Sequence, residues 1–94
     1  MVFRIQLVTP QRSREPIEVE HVTLPAFDGE WGIRTGHMPF VCLLVEGRLM
    51  IRGEETHRYR IGRGVAHLHE DLLEVFTESV VEDVAPDGNV PNYT

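Results

Sequence analysis

An all-β fold, an antiparallel β-sandwich or flattened barrel of about ten short strands, is the class this sequence predicts. Three observations carry it. Apolar residues alternate with polar ones at period two in run after run, turn-forming residues separate the runs at short intervals, and no long helical crossover lies between them. Short connections suit antiparallel neighbours, whereas a parallel sheet would need crossovers of a dozen residues or more.

The elements follow in order. Phe3, Ile5 and Leu7 share one face of a first strand, and the polar stretch Thr9-Pro10-Gln11-Arg12-Ser13-Arg14 turns the chain. Ile17, Val19 and His21, with Val22 and Leu24 behind them, form a second run that Pro25 stops. The segment from Gly29 to Pro39 holds Gly29, Gly32, Gly36, His37 and Pro39 and is read as a loop. Strands are then expected over 40–45, 48–52, 57–61, 65–69 and 72–77, joined at Glu46-Gly47, Gly53-Glu54-Glu55, Gly62-Arg63-Gly64 and Glu70-Asp71. Val80, Val81 and Val84 favour a last strand over a helix, because β-branched side chains lose rotamer freedom in a helix. Residues 1–84 are assigned to one domain. Residues 85–94, with Pro86, Gly88 and Pro91, are assigned to an irregular tail.

Composition narrows the function classes. A chain of 94 residues supports one modest core, and 41% hydrophobic with 26% charged residues is ordinary for a globular domain. No apolar run reaches the roughly 18 residues expected of a membrane-crossing helix. The N-terminus alternates from Phe3 onward without a signal peptide's charged flank, long apolar stretch or cleavage site, which points to an intracellular protein. A net charge of -6 argues against nucleic acid as a partner, since phosphate backbones need clustered cations. The cations are all arginine, which removes lysine chemistry. The single Cys42 forms no intramolecular disulfide and sits in an apolar run that would raise its pKa. No Gly-x-Ser-x-Gly elbow or Cys-x-x-Cys pair occurs, so no catalytic residues and no cofactor site are assigned.

The glycine segment carries a family resemblance. Gly29, Glu30, Gly32, Ile33, Gly36, His37 and Pro39 stand at the spacing of the G-E-[LFM]-G-I-[LY]-P-G-H-x-P signature, and with it the chain resembles the epsilon subunit of F-type ATP synthases. Gly47-Arg48-Leu49-Met50-Ile51 is similar to that family's G-x-[LM]-x-[IV] segment. The run from Tyr59 to Ala66 resembles its [FY]-x-[LV]-[SA]-G-G-[FI]-x-E stretch, departing at Gly62 and Arg63 and again at His67, where an acidic or polar residue is usual.

The resemblance implies a non-catalytic rotor subunit on the cytoplasmic side of the cell inner membrane. It would link the gamma subunit to the c-ring and couple ion translocation to ATP synthesis or hydrolysis. It implies that Asp28, Gly29, Glu30, Trp31 and Gly32 face the c-ring, Glu30 offering a carboxylate and Trp31 a large apolar contact or a cap on the core. Thr9, His37, Met38, Phe40 and Cys42 match the gamma-facing side, while Val41 is expected in the core. The family's helical hairpin has no counterpart after Asp83, so inhibition of ATP hydrolysis through such a hairpin is not expected.

Two alternatives stand beside this reading. One is a free-standing β-sandwich adaptor. The other is a small cupin-like metal enzyme, because His67-x-His69 followed by Glu74 looks like part of the first cupin metal motif, and strand alternation places both imidazoles on one face. Against the cupin, the glycine spacing is one residue short, and no Pro-x-Gly-x-x-His segment follows. No metal ligands are therefore assigned.

Overall fold

Period-two alternation becomes strand after strand in the computed structural model, which describes residues 2–36 and 38–83. Ten strands are present among them: β1 (Phe3–Val8), β2 (Ile17–Val19), β3 (His21–Ala26), β4 (Gly29–Arg34), β5 (Phe40–Leu44), β6 (Gly47–Arg52), β7 (Thr56–Ile61), β8 (Gly64–His69), β9 (Leu72–Thr77) and β10 (Val80–Glu82). They hydrogen-bond in the order β10-β7-β6-β3-β5-β8-β9-β1-β2, with β4 on the other edge of β3.

One pair, Ala26↔Leu44, joins β3 to β5. At this narrow join the continuous sheet folds over into two layers, β10-β7-β6-β3-β4 and β5-β8-β9-β1-β2. Between them lies a single core. Phe3, Ile5 and Leu7 enter it from β1, Val22 and Leu24 from β3, Leu49 and Ile51 from β6, Tyr59 and Ile61 from β7, and Leu73 and Val75 from β9. Burying side chains of this size stabilises the fold by roughly 1.5–3 kcal/mol each, before the entropy of ordering the chain is subtracted.

Four expectations are corrected by the fold. The run over 17–24 is two strands rather than one, because the chain passes between the layers at Glu20. Val19 pairs with Phe3 in one layer, and Val22 pairs with Ile33 and Ile51 in the other. Pro25 does not end the strand. It pairs with Glu30, and its carbonyl accepts from the Val45 N–H at 2.9 Å on the edge where β3 changes partner from β6 to β5, where the missing proline N–H interrupts no ladder. The glycine segment is a strand for most of its length, since β4 follows β3 residue for residue from Ala26↔Gly29 to His21↔Arg34. The sheet is also not wholly antiparallel, because β1 runs parallel to β9 from Arg4↔Leu72 to Val8↔Phe76. The expected tail at 85–94 lies outside the described residues.

Thr77 is the one buried polar side chain among the described residues. Its hydroxyl lies 2.9 Å from the Gly62 carbonyl oxygen, 3.2 Å from that of Arg63 and 3.3 Å from that of Ser79, so the end of β9 is tied to the β7–β8 connection.

Candidate docking face

A tight turn at Phe27 and Asp28 closes the β3–β4 hairpin, and Gly29 leaves it at φ 123°, a conformation that glycine adopts without a Cβ penalty. The exposed Asp28 carboxylate accepts a hydrogen bond from the indole N–H of Trp31 at 2.9 Å. This bond fixes the large ring over the turn. Trp31 is half-buried, packs on the core and meets the Phe40 ring edge to face with centroids 5.4 Å apart. It therefore caps the core and keeps an exposed edge. Gly29, Glu30 and Gly32 are exposed beside it.

The second part of the face is the outer surface of β5, β8, β9 and β1. The registers place Leu43 opposite Val65, Val65 opposite Phe76, and Phe76 opposite Val8. Four apolar side chains thus lie abreast across four strands. The row one step along reads Val41, His67, Glu74, Gln6 by the same registers. Phe27 joins the hairpin to this surface, its N–H donating to the Leu43 carbonyl at 3.0 Å. Val41 at 65% and Leu43 at 59% relative exposure are open to solvent. A contiguous exposed apolar surface of this kind marks an interaction site more often than a chance of composition.

The expected gamma-facing residues divide. Thr9 lies beside Phe76 in a shallow groove of about 390 Å³ that Val8 and Pro10 also line. Met38 is exposed, and Phe40 is half-buried against Trp31. Cys42 is 4% exposed and points into the core, so it can support the face only from beneath. Burial pushes its thiol pKa up, and the Asp28 carboxylate adds to the rise. Val41, expected in the core, is exposed, because alternation along β5 turns Cys42 and Leu44 inward and Val41 and Leu43 outward. His37 lies outside the described residues. Sequence reasoning passed over Phe27, Leu43, Val65, Phe76 and Val8. A signal existed in the unbroken apolar run from Phe40 to Val45, since a strand apolar on both faces has something to cover each of them.

His67, His69 and Glu74 come together at the flank of this face. Glu74 Oε1 is 3.1 Å from His69 Nε2 and 3.7 Å from His67 Nδ1, and the two rings stack at 4.5 Å.

Comparison with known proteins places the whole domain in a family. The family model described as ATP synthase, Delta/Epsilon chain, beta-sandwich domain matches residues 2–83. ATP synthase epsilon chains from Anaeromyxobacter sp. (strain Fw109-5) and Rhodopirellula baltica are 34% and 36% identical over 80 and 78 residues, covering 84% and 82% of this chain. The chain spans 61% of the length of each of those relatives. A chain of the Euglena gracilis mitochondrial ATP synthase, OSCP/F1/c-ring, superimposes with a TM-score of 0.78 at 24% identity, over 83% of this chain and 51% of that one. The two-layer fold is thus shared at low identity. The cupin alternative is overturned, because the match runs straight through the His67-x-His69 segment with a different family's domain. The chain belongs to the ATP synthase delta/epsilon chain beta-sandwich domain family.

Proposed function

We propose that this chain is an epsilon-type, non-catalytic subunit of the rotor of an F-type ATP synthase, seated between the gamma subunit and the c-ring. Its curated relatives are named ATP synthase epsilon chains. The observation that carries the reading is the apolar row Leu43-Val65-Phe76-Val8 lying next to the glycine hairpin. A torque-transmitting subunit needs two rigidly connected contact surfaces, and here one hydrogen bond between Phe27 and Leu43 separates them.

The apolar row faces gamma, with Thr9 at its border and the exposed Met38 just before β5, while Phe40 and Cys42 support the face from the core side. The hairpin, with Asp28, Gly29, Glu30, Trp31 and Gly32, faces the polar loops of the c-ring. Glycines at 29 and 32 let partner backbone approach, and the exposed Glu30 carboxylate pairs with a cation there. ATP chemistry and ion conduction belong to other subunits, and the chain requires no cofactor. It lies at the membrane surface on the cytoplasmic side through its complex. No helix among the described residues is long and apolar enough to cross a bilayer.

Co-purification of the untagged chain with a tagged F-type gamma subunit from the same organism tests the reading. Leu43→Asp and Phe76→Asp each put a carboxylate in the centre of the contact and should weaken binding by about tenfold or more. Glu30→Ala should keep gamma while losing cross-linking to the c-ring. Failure to bind gamma, or wild-type binding by both aspartate variants, would sink the proposal.

A further inference from the structure

The flank of the outer face holds chemistry that torque transmission does not use. His67 and His69 are two residues apart on β8, so strand alternation turns both outward. Glu74 stands directly opposite His67 on β9. The rings lie nearly parallel, 23° apart, and both direct a nitrogen toward one oxygen of the carboxylate. We infer that His67, His69 and Glu74 form a binding site for a single divalent metal ion of the zinc class.

The geometry supports this in three ways. Zinc bonds of about 2.0–2.2 Å to nitrogen and oxygen place tetrahedral ligand atoms roughly 3.3 Å apart. The two His–Glu separations, 3.1 and 3.7 Å, bracket that spacing. One ligand atom from each of the three residues can be chosen so that all lie within 4.8 Å of one another, and small side-chain rotations close the remaining gap. Second, the ligands rest on adjacent, hydrogen-bonded strands, so little backbone order has to be created on binding. Third, the site is half-buried, which limits competition from water while leaving the outward side open for water as a fourth ligand.

Ligand chemistry selects the metal class. Two imidazoles and one carboxylate suit zinc, nickel, cobalt and copper, and fit calcium and magnesium poorly because those ions favour oxygen-rich shells. The carboxylate supplies the negative charge that two neutral imidazoles lack. A metal-bound imidazole coordinates through a deprotonated ring nitrogen, so binding should release protons and weaken in acid. The inference concerns binding alone and assigns no reaction to the site.

Calorimetric titration of the untagged chain with zinc sulfate at pH 7.5 tests it. One zinc per chain is expected, with Glu74→Gln and His69→Ala each weakening binding by about tenfold or more. His57→Ala, remote from the site, should leave it unchanged. Because Glu74→Gln keeps size and shape on a half-exposed position, its melting curve separates a lost ligand from a lost fold. In the wild-type chain, the ring proton resonances of His67 and His69 should shift on zinc addition while those of His21 stay in place. Absence of saturable binding at millimolar zinc would overturn the inference. So would wild-type affinity in both site variants, or zinc-dependent shifts at His21 with none at His67 and His69.

Discussion

The indole of Trp31 and the ring of Phe40 meet edge to face at 5.4 Å and 71°, joining the glycine hairpin of one layer to β5 of the other. The sheet's own link between β3 and β5 is the single pair Ala26↔Leu44, at the other end of β5 from Phe40. Aromatic packing therefore reinforces a join that backbone bonding leaves thin.

A double-mutant cycle measures that reinforcement. Trp31→Ala and Phe40→Ala should each lower stability by about 2–3 kcal/mol, somewhat less than for fully buried aromatics. The coupling between them should be about 0.5–1.5 kcal/mol. Urea unfolding of the four proteins provides the check, and strictly additive losses would show that the ring contact contributes nothing of its own.

Gly64 is the position least able to accept a side chain. An added Cβ would fall 1.9 Å from the Phe76 carbonyl oxygen and 2.8 Å from the Thr77 Cα, both of them backbone that cannot swing aside. Gly64→Ala should destabilise by about 3 kcal/mol through separation of β8 from β9. Thermal melts should show a large drop in midpoint, and a near wild-type melt would contradict the packing described here.

The β8–β9 turn places Glu70 at φ 51° and Asp71 at φ 62°, both in the left-handed region. Two consecutive positive φ values are the mark of a type I′ hairpin, for which an asparagine followed by a glycine is preferred. The double substitution Glu70→Asn with Asp71→Gly should stabilise the fold by about 1 kcal/mol by relieving that strain. Chemical denaturation of the variant beside wild type provides the comparison, and loss of stability would mean that the acidic side chains contribute more than their backbone strain costs.

His21 carries the pH prediction. Burial lowers its pKa, and the cross-strand neighbours Arg34 and Arg52 lower it further. A depressed folded-state pKa means that the unfolded chain takes up the proton first. The stability tied to neutral His21 is thus present above the unfolded value of about 6.5 and is lost as pH falls through that value toward the folded one. The stability difference between wild type and His21→Gln should shift against wild type from about pH 8 to pH 5. A difference that does not change with pH would refute this.

Much of the fold was legible because alternation reports directly which side of a strand is buried. Phe3, Ile5 and Leu7 read as one face and lie together in the core. The turns at Gly53-Glu54-Glu55 and Glu70-Asp71 were equally plain, since tight turns draw on local backbone preferences. β4 was not legible, because glycines at 29 and 32 argue for a loop unless a neighbouring strand supplies the ladder, and β3 does so along its whole length. Val41 was misplaced for a related reason. In a run apolar on both faces, periodicity cannot say which face is inside.

By itself, the sequence determined the all-β class, the positions of most strands and, through the spacing of Gly29, Gly32, Gly36 and Pro39, the family resemblance. The class and the strand positions follow from the preferences of residues close in the chain, and the resemblance from residue identity and spacing. Tertiary structure decided the parallel pairing of β1 with β9, the fold of the sheet at Ala26↔Leu44, the apolar row from Leu43 to Val8 and the meeting of His67 and His69 with Glu74. Each depends on the register between strands, several of them far apart in sequence. Register is set by how all the buried side chains pack at once, because a slip of one residue would turn an entire strand's core face to solvent.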